Sequence, residues 1–178
     1  MEDRQRAQRD AIDNHLRMLA GIENQDRSCA AFLLEHGRYF HPSRRPRIMQ
    51  RGMVKQCFAN SQKAAVTAAR GDGKPLYYVE GFACSGGLSV NLPMLHGWLS
   101  DSDGNVIDLT WEFPEHSAYF GVAFNSEYVK SKVSRRSIDS LLDDRRDDWR
   151  LLWDRSIAEA AVYRFEAEAA PVALPFNP

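Results

Sequence analysis

The sequence predicts an α+β domain: helical periodicity fills both ends of the chain, while aromatic and β-branched runs separated by glycine-containing turns fill the middle. A length of 178 residues suits one domain, 1–178, with a core at about 50–124. The 44% apolar and 26% charged fractions suit a chain that buries a core without disulfides or metal. A formal charge of −1 supplies no global field toward nucleic acid or an anionic membrane, so neither is an expected partner. The charged N-terminus is not a secretory signal, no apolar run approaches the ~20 residues a membrane span needs, and three cysteines suit reduced thiols in a cytoplasm.

N-terminal helices are expected within 1–36. Ile12, Leu16 and Leu19 recur at helical spacing from Asp3 to Ile22, and Ser28 precedes Cys29–Leu34 as an N-cap with Gly37 as the stop. Cys29 is then a small core residue. Residues 38–47 carry four arginines with Pro42 and Pro46, and read as a solvated basic loop with no regular element. His36 and His41 lack ligand-spaced partners and read as exposed loop histidines, so no metal is expected.

An alanine-rich helix is predicted from Cys57 to Ala69, ending at Gly71-Asp72-Gly73. Strands follow at Leu76–Phe82, Leu95–Leu99, Val106–Trp111 and Ala118–Phe124, the second and third joined as a hairpin through Asp103-Gly104. A long C-terminal helix is expected over 137–160, with Leu141, Leu142, Trp149, Leu152 and Trp153 packing one face onto the sheet, and a flexible tail over 166–178.

A helix N-terminus and a neighbouring imidazole are the two common devices that lower a thiol pKa. Cys57 is predicted to have the first. His96 and Asp108 come roughly opposite each other across the hairpin, where a carboxylate can hold the imidazole in the required tautomer. The chemistry therefore requires one helix start packed against one hairpin.

In order, Cys57 at a helix start, Tyr78-Val79-Glu80-Gly81-Phe82, His96-Gly97-Trp98 and Asp108-Leu109-Thr110 resemble the core of the transglutaminase-like superfamily of papain-like cysteine enzymes. The separations of 39 residues from Cys57 to His96 and 12 from His96 to Asp108 are similar to those of that superfamily. Gly97 stands where the family usually has Ala, and Leu109 where it has Pro. The resemblance implies a papain-like core, Cys57 as nucleophile, His96 as general base and Asp108 as its orienter, in acyl transfer through a thioester with no cofactor. It extends to compact bacterial and phage members of the fold.

The oxyanion of such a mechanism needs donors. The Cys57 backbone N–H is one candidate, and Gln50, favoured over Gln56, is another. The loop Cys84–Leu95 is expected to border the substrate cleft. The substrate class is then a peptide, protein or other amide or acyl donor, handled as a peptidase, amidase, deamidase or transferase. Two alternatives stand beside this reading. Cys84-Ser85-Gly86-Gly87-Leu88 is similar to the nucleophile segment of cell-wall cysteine peptidases, but Gly86, Gly87 and Pro93 oppose the helix those enzymes require. The other is a catalytically silent binding module on the same scaffold.

Overall fold

The computed structural model describes residues 2–23, 27–67, 75–133 and 139–165. Six helices and a five-stranded antiparallel sheet, curled into a half-barrel, make up these residues. Helix α1 spans Glu2–Ile22 and α2 Cys29–His36; strand β1 is Arg38–Phe40 and α3 is Cys57–Thr67. Strands β2 (Tyr77–Cys84), β3 (Pro93–Ser100), β4 (Val106–Ile107) and β5 (Ala118–Phe124) follow, and then α4 (Ser126–Val133), α5 (Arg150–Trp153) and α6 (Arg155–Ala161). The strand order is β1-β5-β2-β3-β4. Among the described residues no helix is long and apolar enough to cross a membrane.

The alternation of a pleated strand sorts the core into two layers. Phe120, Val122 and Phe124 of β5 join Phe82 of β2 against Ile12 and Leu16 of α1 and Phe32 and Leu33 of α2. Tyr119 and Ala123 of β5 point the other way, into a layer with Phe40, Val79 and Trp98. Gly81 and Gly121 face each other in the β2–β5 ladder, where a Cβ on Gly81 would lie 2.2 Å from the Phe120 carbonyl oxygen. Only glycine permits that approach.

Most predicted elements form with shifted ends. Ser28 caps α2, its hydroxyl accepting from the Ala31 N–H at 2.9 Å. The Asp103-Gly104 turn closes the β3–β4 hairpin with Gly104 at φ +80° and the Asp101 carboxylate accepting from the Asp103 and Asn105 N–H groups. The predicted extension of α3 through Ala69 and the tail over 166–178 lie outside the described residues.

Four expectations are corrected. Residues 38–40 are strand rather than loop: β1 pairs with β5, Arg38 opposite Gly121, and buries Phe40 edge-on against Trp98. The prolines act only after it. His36 ends α2, with its ring edge-on to Phe32 at 4.5 Å and a largely buried side chain, so it is not an exposed loop histidine. The third predicted strand stops at Ile107, because the Asp108 carboxylate captures the N–H groups of Thr110 and Trp111 and turns the chain. Helix α4 follows from no periodicity singled out in the sequence.

The fourth correction is the long C-terminal helix. In its place stand a 3₁₀ turn at Arg145–Asp147 and the short helices α5 and α6. Asp148 and Trp149 are both left-handed, at φ 52°, which ends a right-handed helix. Asp154 then restarts one, its carboxylate accepting from the Ser156 and Ile157 N–H groups. Earlier in the segment, the N–H groups of Leu141 and Leu142 are taken by the buried Glu80 carboxylate of β2, at 2.8 and 3.2 Å. Trp153 is 46% exposed and donates to the Asp148 carbonyl, bracing this irregular turn instead of packing on the sheet.

Candidate active site

Strand β4 pairs only with Leu99 and Ser100 of β3, so the β3 edge ahead of them is covered by α3 instead of a strand. Gly97 supplies both backbone groups to that contact. Its carbonyl accepts from the Ser61 hydroxyl at 3.0 Å, and its N–H favours the ionised form of the Cys57 sulfur. A Cβ on residue 97 would lie 3.0 Å from Phe58 Cδ1 and 3.1 Å from the Tyr78 hydroxyl. Phe58 and Tyr78 thus fill the space that a side chain at position 97 would need.

Cys57, the first residue of α3, is half-buried, and its sulfur lies within hydrogen-bonding reach of the His96 ring. The other side of that ring is fixed: His96 Nε2 sits 2.8 Å from Asp108 Oδ2, which leaves Nδ1 for the sulfur. Continuing the β3–β4 register would set Asp108 opposite Trp98, so Asp108 reaches His96 as a diagonal neighbour on the same face. The structure therefore brings together Cys57, His96 and Asp108.

Asp108 is fully buried with every polar contact directed. Oδ1 accepts the N–H groups of Thr110 and Trp111 at 2.7 and 3.0 Å, and Oδ2 accepts the Tyr119 hydroxyl at 3.0 Å beside His96. Burial alone would raise its pKa, but the His96 charge and these donors hold the carboxyl below the usual carboxylate range. For His96, burial would lower the pKa, yet Asp108 and the Cys57 sulfur push it up to about 9. Burial likewise opposes ionisation of Cys57, and His96 with the Gly97 and Phe58 N–H groups overcomes it, lowering the thiol. Opposite shifts on sulfur and ring favour a thiolate–imidazolium pair.

The pair opens into a cleft of about 490 Å³ whose lining includes Val54, Lys55, Leu88, Leu95, Trp111 and Phe113. Ser85 and Gly87 also line it, so the predicted Cys84–Leu95 loop borders the site. Cys84 is the buried end of β2, its thiol pushed up to about 11 by burial, and residues 85–92 form turns and not a helix. Gln50 is exposed in the loop before α3, and neither it nor Gln56 lines the cleft. All three cysteines are free thiols, and among the described residues no group of three potential ligands could hold a metal ion.

Sequence reading missed the residues that hold the triad in place. Trp111 stacks on His96 with centroids 4.0 Å apart and planes 14° from parallel. Its position three residues beyond Asp108 was the available signal, since a side chain that close to a turn-forming aspartate returns toward it. Tyr119 had no such signal, because it reaches Asp108 from β5. The basic loop is also corrected: Arg45 donates to the Asp108 and Trp111 carbonyls at 3.3 Å, and Arg51 to the Thr110 carbonyl at 3.1 Å. These arginines brace the turn that carries the carboxylate. Comparison of the chain with protein-family models, with curated proteins and with solved structures finds no match to any of them.

Proposed function

We propose that the protein is a thiol-dependent acyl-transfer enzyme with a Cys57–His96–Asp108 triad on a papain-like, transglutaminase-like core, working where thiols stay reduced. The observation that carries this reading is the thiol at a helix start, in reach of an imidazole whose far nitrogen is held by a buried carboxylate, at an open cleft. Cys57 Sγ attacks an acyl carbonyl carbon, and a C–S bond forms as the C=O π pair moves onto oxygen. His96 gives its proton to the leaving amine, alkoxide or thiolate as the bond to carbon breaks, which leaves a thioester. His96 then takes a proton from the water or amine that attacks the thioester, and sulfur departs as thiolate. Asp108 keeps the ring oriented and its positive charge favoured throughout.

Burst kinetics with p-nitrophenyl acetate test this. The expected result is rapid release of about one equivalent of nitrophenol with an acetyl group on Cys57, both lost in Cys57→Ala. An equal burst from Cys57→Ala, or acetyl spread over all three cysteines, would reject the assignment.

A further inference from the structure

Exposed large apolar side chains gather at the three segments that border the cleft. Met53 and Val54 are 66% and 67% exposed ahead of α3, Leu88, Val90 and Leu92 are 38%, 60% and 53% exposed between β2 and β3, and Phe113 is 49% exposed beyond Trp111. Val54, Leu88 and Phe113 line the cleft itself, and Met53, Val90 and Leu92 add exposed apolar surface on the same segments outside the lining. A small acyl donor filling about 490 Å³ would leave that outer surface in water. The segment between β2 and β3 is also anchored at its base: the Gly86 N–H donates to Ser117 Oγ at 2.9 Å, and the Arg4 guanidinium donates to the Leu88 carbonyl.

Charge narrows the occupant further. Besides the Cys57–His96 pair, Arg51, Lys55 and Glu112 are the charged residues lining the cleft, and the Arg51 guanidinium lies 3.9 Å from the Glu112 carboxylate. Lys55, exposed two residues before Cys57, forms no ion pair among the described residues. Apart from the His96 ring, Lys55 is thus the one cation lining the cleft that no carboxylate among the described residues pairs, and it lies two residues ahead of the 11-residue α3.

Resting on the acyl-transfer reading above, we infer that the substrate is an extended polypeptide segment, with bulky apolar side chains beside the reacting carbonyl and an acidic residue meeting Lys55. The apolar rim buries what flanks the reacting bond, and Lys55 fixes the direction in which the segment lies.

Three acetylated tripeptide chloromethyl ketones test the inference: Glu-Leu-Gly, Glu-Ser-Gly and Lys-Leu-Gly. In each, Cys57 Sγ bonds the methylene carbon and chloride leaves. The Glu-Leu-Gly probe should label Cys57 about tenfold faster than Glu-Ser-Gly, as burial of one leucine side chain allows. It should also outpace Lys-Leu-Gly about fivefold at low salt, an advantage that fades toward 1 M NaCl. Leu88→Ser and Phe113→Ser, both at exposed positions, should shrink the leucine advantage, and Lys55→Glu should reverse the glutamate–lysine order. Equal rates for all three probes, while iodoacetamide still reacts with Cys57 well below the free-thiol pH range, would overturn the inference and leave the enzyme reading standing. A plain thiol curve with iodoacetamide would overturn both.

Discussion

Two helices of this protein begin with cysteine, and their thiols are driven in opposite directions. Cys29 opens α2 behind a well-formed serine cap, yet burial, followed by the Glu80, Glu23 and Asp143 carboxylates, raises its pKa well above the ordinary value. Cys57 opens α3, and its pKa is lowered by His96 and two backbone N–H groups in spite of burial. The helix dipole is common to both, and it is worth at most about 2 kcal/mol. The difference lies in the neighbours: burial and carboxylates act on one sulfur, an imidazole and backbone N–H groups on the other.

His96→Ala breaks the contrast most severely. Without the imidazole, Cys57 keeps the burial that opposes its ionisation and becomes a thiol of the Cys29 kind. Its alkylation by iodoacetamide at pH 7 should fall about tenfold to a hundredfold, with the pH midpoint moved to ~8.5 or above. An unchanged midpoint would mean that the helix start alone activates the sulfur.

The pair should also leave a mark on stability. The His96 pKa is raised in the folded protein from 6.5 to about 9, so its contribution is complete below the unfolded value and is lost as pH rises from about 6.5 through about 9. Asp108 has the opposite sign: its folded pKa is depressed, so its contribution is present above the unfolded value of ~3.9 and is lost as pH falls below it. Cys57, whose folded pKa is lowered, has the opposite sign over the same alkaline range, so urea unfolding should show stability declining above pH 6.5 in Cys57→Ala, and a flatter profile in Cys57→Ala/His96→Gln. Equal alkaline slopes would detach the imidazolium from the fold.

Tyr119→Phe is milder. Asp108 keeps His96 and two backbone donors while Oδ2 loses one partner, so the acylation rate should fall several-fold and the Asp108-dependent acid limb of stability should move to higher pH. A rate change without any movement in either pH profile would indicate a packing effect alone. The smallest effect belongs to Cys29→Ala. Removing this sulfur should leave Cys57 alkylation unchanged and cost about 1 kcal/mol in urea unfolding. A slowed Cys57 would show that the two helix starts are coupled.

What the sequence made legible follows from locality. Helix starts, the Gly104 turn and the strand alternation are written in neighbouring residues, so Cys57, His96 and Asp108 were readable as a set. The end of the third predicted strand at Asp108 was less so, because an aspartate that captures two N–H groups looks in sequence like any hairpin residue. The C-terminal helix misled because the Leu141, Leu142 and Trp149 spacing is helical while the Glu80 carboxylate, far back in the chain, takes the Leu141 and Leu142 amides. Tyr119, Arg45 and Arg51 were invisible for a related reason: their partners lie on other elements, and no spacing rule connects them. Gln50 was proposed from analogy to papain-like enzymes, and it lies exposed, away from the residues that line the cleft.

The most direct measurement is the rate of Cys57 alkylation as a function of pH, followed by mass spectrometry in Cys29→Ala/Cys84→Ala protein so that a single thiol is read. A rate already on its plateau at neutral pH, with a second step as His96 deprotonates near pH 9, is the predicted result. One sigmoid centred at or above ~8.5 would contradict it.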